Sequence, residues 1–259
     1  MNLNISNKLA LVTGASGGLG QAIAEALCAE GASVVWVARN IDTLTTLADS
    51  AAKQYGTEQY AIQADLKNKE GTLALIRELQ EKALSPDIII NNVGGNLDMP
   101  DPLSPTDSWR DVMEFNLFNA IEINNAFMPE MQARKWGRIC HVSSIASLEN
   151  QGTPMYCAAK AALNAYVRSV GRYVSPDNVI MTAVLPGAVF TEGGYWDKTL
   201  SERPEHVEKY LSERMAIKRF GTPEEISNFV TFLVSEHASF AVGSSVLLDG
   251  GQGRVFFEG

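Results

Sequence analysis

A glycine-rich turn set between an apolar strand and a helix constrains this chain most. Leu9-Ala10-Leu11-Val12 is a short, wholly apolar run. It ends in Thr13-Gly14-Ala15-Ser16-Gly17-Gly18-Leu19-Gly20, after which Leu19, Ile23 and Leu27 mark one face of a helix stopped by Gly31. Ser33-Val34-Val35-Trp36-Val37 then reads as a second buried strand. Continuous apolar runs of this kind belong to parallel strands covered on both faces. The unit is therefore βαβ.

The alternation continues along the chain. Helix is predicted over about 41–54, strand over about 59–64, helix over about 68–83 and strand at Ile88-Ile89-Ile90. A long helix over about 107–134 precedes a strand from Arg138 to Val142, a helix over 155–174 and a strand from Val179 to Leu185. A helix over 222–235, with Pro223 near its start and Glu224 and Glu225 in its first turn, leads to a last strand from Ser245 to Leu248. Seven strands with intervening helices imply an α/β fold: a Rossmann-type, doubly wound parallel sheet with helices on both faces. With no low-complexity linker or repeat, residues 1–259 read as one domain. The segment over about 188–220 breaks the rhythm and reads as a substrate flap.

Net charge is −9, which disfavours nucleic acid and anionic membrane surfaces as partners. No run reaches about 18 apolar residues, so no membrane span is expected. Met1 to Ser6 lacks the layout of a signal peptide, and a cytoplasmic location is expected. Cys28, Cys140 and Cys157, with His141, His206 and His237, show neither disulfide nor zinc-ligand spacing, so no metal is expected. Cys157 has no histidine near it in sequence and reads as a small residue at a tight contact.

Each glycine of the turn has a physical task. Gly14 permits the tight turn, Gly18 lets backbone approach a pyrophosphate, and Gly20 lets the helix pack closely on the sheet. The helix start offers free N–H groups and a positive dipole end to phosphate. Nineteen residues past Gly20 stands Arg39, then Asn40, where an NAD site usually carries an acid for the ribose 2′-hydroxyl. A guanidinium there suits a 2′-phosphate, so NADP(H) is favoured and NAD(H) remains possible. Further on, Tyr156 and Lys160 share one helix face. A nearby cation is expected to pull the phenol below its ordinary pKa of about 10, making it a general acid/base near neutral pH.

Eight motifs in order resemble the short-chain dehydrogenase/reductase family over essentially the whole chain. They are Thr13, Gly14, Gly18 and Gly20; Asp65-Leu66; Asn91-Asn92-Val93-Gly94, with valine where the family has alanine; Asn116; Ser143-Ser144; Tyr156 and Lys160; Pro186-Gly187 with Thr191; and Asp249-Gly250-Gly251. The layout resembles 3-oxoacyl-ACP reductase-like members. The resemblance implies hydride transfer between nicotinamide and a carbonyl carbon. Tyr156 would move the proton, and Ser144 would hold the oxygen. Lys160 would act on the tyrosine and the nicotinamide ribose, and Asn116 would hold a water for proton supply. Ser144 rather than Ser143 aligns through Gly137-Arg138-Ile139, although its separation of twelve from Tyr156 is one shorter than the family's. Neighbouring strand residues face opposite ways, so only one of the two serines can serve. The implied cofactor cradle comprises Thr13, Gly14, Ser16, Gly17, Gly18, Leu19, Gly20, Arg39, Asn40, Asp65, Leu66, Asn92, Val93, Gly94, Tyr156, Lys160, Pro186, Gly187, Val189 and Thr191.

Asn96, Gln151 and Trp196, with Ser144 and Tyr156, are the expected substrate contacts. Glu149, Asn150 and Met155 stand around the same pocket. This polar mixture suggests a small polar alcohol or ketone, such as a sugar derivative. Reduction of 3-oxoacyl groups on acyl carrier protein is the alternative. Relatives with that activity place basic residues before the fifth and sixth strands; this chain has Arg134 and Lys135 at the first place but Asp177 at the second. A non-catalytic dinucleotide sensor would be suggested by a broken Ser/Tyr/Lys set, and the set is intact. Family habit implies a homodimer or homotetramer, with the 155–174 helix and the long helix before it at the interface. Val255-Phe256-Phe257 is read as a segment reaching across that interface.

Overall fold

The computed structural model describes residues 1–99 and 101–254. The seven strands are β1 (Leu9–Thr13), β2 (Ser33–Ala38), β3 (Gln59–Gln63), β4 (Ile88–Asn91), β5 (Gly137–Val142), β6 (Val179–Pro186) and β7 (Ser245–Leu248). They form one sheet in the order β3-β2-β1-β4-β5-β6-β7, with every pairing parallel. The fold class and the strand positions read from the sequence are those observed.

Strand alternation divides the core into two layers. Val12, Val34 and Trp36 face one side, against α1 (Gly18–Ala29), α2 (Ile41–Tyr55) and α9 (Pro223–Leu233). Leu11, Val35 and Val37 face the other, against α3 (Lys69–Glu81), α5 (Asn119–Ala133) and α6 (Pro154–Val174). β4, β5 and β6 are buried along their whole length. The helices have conventional starts: Asn40 accepts from the Thr43 amide at the head of α2, and Thr222 and Glu225 form a reciprocal capping box on α9.

Strand order reverses between β1 and β4. The connection leaving β1 runs to one face and the connection leaving β4 to the other, which opens a crevice at the strand C-termini.

Two segments differ from the sequence reading. The long helix expected over 107–134 is α4 (Thr106–Met113) and α5 joined by a π-helical turn over Glu114–Phe118. The extra residue in that turn shifts the helical phase and places the Asn116 side chain inward. The 188–220 segment, read as an insert outside the strand–helix alternation, contains two helices, α7 (Tyr195–Glu202) and α8 (Pro204–Arg214). Val255-Phe256-Phe257 lies outside the described residues.

Candidate active site

The crevice is a chain of three cavities that share walls. The first, of about 360 Å³, runs from Arg39 and Asn40 past Asp65 and Leu66 to Asn92, Val93 and Gly94, with Gly14 and Ser16 at its floor. The second, of about 330 Å³, shares Asn92 and Gly94 and continues past Gly18, Leu19, Val189 and Thr191 to Ser144, Tyr156 and Lys160. The third, of about 850 Å³, shares Ser144, Pro186, Gly187 and Trp196 with the second and opens beneath α7 and α8.

The first two cavities are framed largely by backbone. Gly14 sits at φ +69°, a left-handed conformation that suits glycine. A Cβ on Gly20 would stand 2.1 Å from the Gly14 carbonyl oxygen, so only glycine lets α1 approach this closely. Thr13 does not face the cleft: its hydroxyl donates to the Ile90 carbonyl and accepts from the Asn92 and Val93 amides. The Asn92 side chain donates to the Thr13 carbonyl at 2.9 Å. Thr13 and Asn92 thus lock β1 to β4. Gly17 points outward and Gly20 is buried, so these two shape the turn from outside the cavity lining.

A dinucleotide fits this frame on two observations. The N-terminus of α1 carries no side-chain cap, which leaves its first amides and the positive end of its dipole directed at the turn. Arg39 is exposed at the cleft mouth, and among the described residues no carboxylate pairs with it. Asn40 lines the same cleft, with its side chain engaged as the α2 cap.

Tyr156 and Lys160 project from the first turns of α6, on the face turned to the C-terminal end of β5. Ser143 and Ser144 diverge as strand geometry requires. The Ser143 hydroxyl is buried and donates to the Lys160 carbonyl at 3.5 Å, whereas Ser144 hydrogen-bonds the Tyr156 phenol. Ser144 Oγ also accepts from the Ala146 amide at 3.1 Å, which fixes its rotamer.

The electrostatics correct one expectation. Burial pushes the Tyr156 phenol up, the hydrogen bond with Ser144 pulls it back down, and Cys157 raises it slightly. Lys160 does not set the shift. Its ammonium donates to the Val142 carbonyl at 2.9 Å and stands 5.6 Å from the centroid of the tyrosine ring. Burial instead lowers Lys160 itself from 10.5 to about 8. One helical turn brings the two side chains to the same face, but the lysine is spent on β5 backbone rather than on the phenolic oxygen.

Asn116 is also committed to backbone. Its Oδ1 accepts from the Gly95 amide at 2.9 Å, and its Nδ2 donates to the Gly95 carbonyl at 2.7 Å and the Val112 carbonyl at 2.8 Å. It clips the loop after β4 to the π turn. Met155 packs with Val112 and Ala159 in a small core cluster rather than lining the pocket.

In the third cavity Asn96, Asn150, Gln151 and Trp196 line the walls as expected. The sequence reading missed Tyr195, His206, Tyr210, Arg214 and Gln252, which line it too. Trp196 lies 4.3 Å from the Tyr210 ring and 4.8 Å from the Phe220 ring, so an aromatic cluster forms one wall. His206, Tyr210 and Arg214 recur every four residues, a helical signal that was available in the sequence.

The short chain dehydrogenase family model matches residues 8–196. A 3-oxoacyl-[acyl-carrier-protein] reductase of Aquifex aeolicus is 31% identical over 252 residues, covering 97% of this chain and 99% of that protein. The crystal structure of L-sorbose reductase from Gluconobacter frateurii, complexed with NADPH and L-sorbose, superposes with a TM-score of 0.91 at 32% identity, covering 99% of this chain and all of that one. A 3-oxoacyl (acyl-carrier-protein) reductase from Agrobacterium tumefaciens with NADP bound superposes with a TM-score of 0.88 at 28% identity, over 96% and 95% of the two chains. The chain belongs to the short-chain dehydrogenase family. It is an oxidoreductase of the kind that interconverts alcohols and ketones with a nicotinamide cofactor.

Proposed function

We propose that the protein is an NADP(H)-preferring reductase of small polar, sugar-like ketones, with its chemistry at Tyr156, Ser144 and Lys160. The observation that carries this reading is their position. All three line the inner part of the dinucleotide cleft, and Ser144 also lines the large aromatic-lined cavity that adjoins it. Gly14, Ser16, Gly18, Leu19, Asp65, Leu66, Asn92, Val93 and Gly94 would hold the dinucleotide, with Arg39 at its 2′-phosphate. Pro186, Gly187, Val189 and Thr191 would close over the nicotinamide end. A bound nicotinamide cofactor supplies the hydride.

The protein's own groups supply the proton and the geometry. A phenol held up by burial stays protonated at neutral pH and is suited to donate to a ketone oxygen. Ser144, already in contact with the phenol, is placed to donate to the same oxygen as charge develops. Lys160 is rooted on the Val142 carbonyl, and its cation favours negative charge nearby. Asn116 fixes the loop that carries Gly94 and Gly95. The 188–220 segment, with α7 and α8, acts as a flap over the substrate, and residues 1–259 work as one domain. Pairing of α5 and α6 between copies to give a dimer or tetramer is part of the same proposal.

The relative from Aquifex aeolicus favours a second reading, reduction of acyl groups on acyl carrier protein. An acidic carrier needs free cations to dock. Here Arg134 pairs with Asp87 at 3.2 Å, and Lys135 pairs with Asp177. Each of those cations already has an acidic partner within the chain, which supports the small-ketone reading.

The test is NADPH oxidation against keto-sugars, small ketones and acetoacetyl thioesters. We expect kcat/KM to be highest for a polyhydroxy ketone. A clear preference for the thioester overturns the assignment of substrate class and leaves the catalytic residues standing.

A further inference from the structure

We propose that Gln252 is a positioning residue that sets the shape and selectivity of the substrate pocket, acting through Tyr210 and Trp196. The inference rests on reading the third cavity as the substrate's, but not on which ketone it takes.

Gln252 lies four residues past the end of β7 and is 4% exposed. Both ends of its amide are engaged. Oε1 accepts from the Ala188 amide at 2.8 Å, and Nε2 donates to the Tyr210 hydroxyl at 2.5 Å. The first bond holds the segment after β6, which lies between the nicotinamide end of the cleft and the pocket. The second holds α8, which carries the outer wall. One side chain therefore spans the space between the fixed sheet and the flap.

Its platform is rigid. The Asp249 carboxylate accepts from the amides of Gly251 and Gly253, and the Gln252 amide donates to the Asp249 carbonyl. The approach is also close. A Cβ on Gly187 would come within 2.7 Å of Gln252 Oε1 and 2.8 Å of the Asp249 Cα. Just beyond, the Arg254 amide donates to Glu149 and the Arg254 guanidinium to the Glu213 carbonyl. The segment thus runs between the loop after β5 and α8, the two walls of the pocket.

Tyr210 transmits the constraint. Burial pushes its phenol up, so its hydroxyl is an uncharged group in need of a partner. Its ring packs on Trp196, which lines both the nicotinamide cavity and the substrate cavity. Releasing the hydroxyl frees α8, and with it the indole that the substrate meets. The outcome is a wider and less selective pocket, with the proton-transfer groups left in place.

The experiment compares Gln252→Leu, Tyr210→Phe and the double variant, using whichever two ketones, one small and one bulky, the wild-type enzyme reduces. We expect Gln252→Leu, which removes the bonds to both Ala188 and Tyr210, to raise KM for the better ketone at least roughly tenfold, the scale of one buried hydrogen bond. kcat and the Kd for NADPH should move less than about threefold, and selectivity between the two ketones should collapse. Because Tyr210→Phe deletes only a bond that Gln252→Leu already removes, the double variant should be no worse than Gln252→Leu alone. Gln252→Glu, which keeps an acceptor for Ala188 and for the Tyr210 hydroxyl, should recover part of the loss. Indole emission gives a readout independent of turnover. Gln252→Leu should change it, and the change should vanish in a Trp196→Phe background. Multiplicative losses in the double variant, or equal falls in kcat for both ketones with selectivity unchanged, overturn the proposal. If the wild type prefers a thioester, only the substrate class falls, and the coupling test still decides the role of Gln252.

Discussion

The two ends of the crevice are built by different means. The dinucleotide end is a backbone structure: a turn, a helix start and strand ends, pinned by Thr13 and Asn92. The substrate end is a side-chain structure, assembled from the loop after β5, α7, α8 and the turn after β7. A site made of backbone tolerates side-chain change except where a Cβ intrudes. A site made of side chains can be retuned residue by residue. This is how one sheet can serve many substrates without losing its cofactor.

The groups proposed to be catalytic stand at or beside the seam, with Ser144 on both cavities and Tyr156 and Lys160 next to it, and breaking them gives the largest expected effects. Tyr156→Phe removes the proton donor and should lower kcat by about 10³-fold, while NADPH binding, measured by fluorescence titration, stays intact. Turnover near the wild-type level would remove the phenol from the chemistry. The serines offer a sharper contrast. Ser144→Ala should cost about 10²-fold in kcat, whereas Ser143→Ala, whose hydroxyl faces the Lys160 carbonyl, should cost less than about threefold. Reversed magnitudes would exchange their roles.

Lys160 tests the seam against the fold. Its pKa falls from 10.5 in water to about 8 in the protein because burial disfavours the ammonium. At about 1.4 kcal/mol per pH unit, that corresponds to about 3 kcal/mol against folding when both states are charged, below pH about 8. Between about 8 and 10.5 the unfolded chain binds more protons, so this group's contribution to stability rises with pH. Lys160→Met should lower kcat at least about 10²-fold and yet raise stability at pH 7, by urea unfolding, by about 2 kcal/mol, since the bond to Val142 is also lost. A destabilised Lys160→Met variant would show that the buried charge is compensated by the fold.

At the dinucleotide end the smallest change falls on a surface side chain. Arg39→Ala should weaken NADPH about tenfold and leave NADH within about twofold, read as the ratio of the two KM values. An equal loss for both cofactors would place Arg39 away from the 2′-phosphate.

How much of this was legible in the sequence follows the same division. β1, the glycine turn and α1 were readable because their signals are local: an apolar run, three glycines and a helical period. Tyr156, Lys160 and Ser144 were readable as a family resemblance at fixed spacings. Their electrostatics were not, because spacing cannot show that the Lys160 ammonium is taken by the Val142 carbonyl. The π turn at Asn116 was hidden because one extra residue in a helix leaves composition and period nearly unchanged. Gln252 and Tyr210 were hidden for another reason. Forty-two positions separate them, and only the packing of α8 against the turn after β7 brings an amide to a phenol.

Ser144, Pro186, Gly187 and Trp196 belong to two cavities at once. Whatever fills one of those cavities therefore redraws the boundary met by the occupant of the other. Equilibrium binding makes such influence mutual: if cofactor tightens the grip on substrate by some factor, substrate tightens the grip on cofactor by the same factor. On the proposed assignment of the two cavities, the shared partition gives the two ligands a direct route to such coupling.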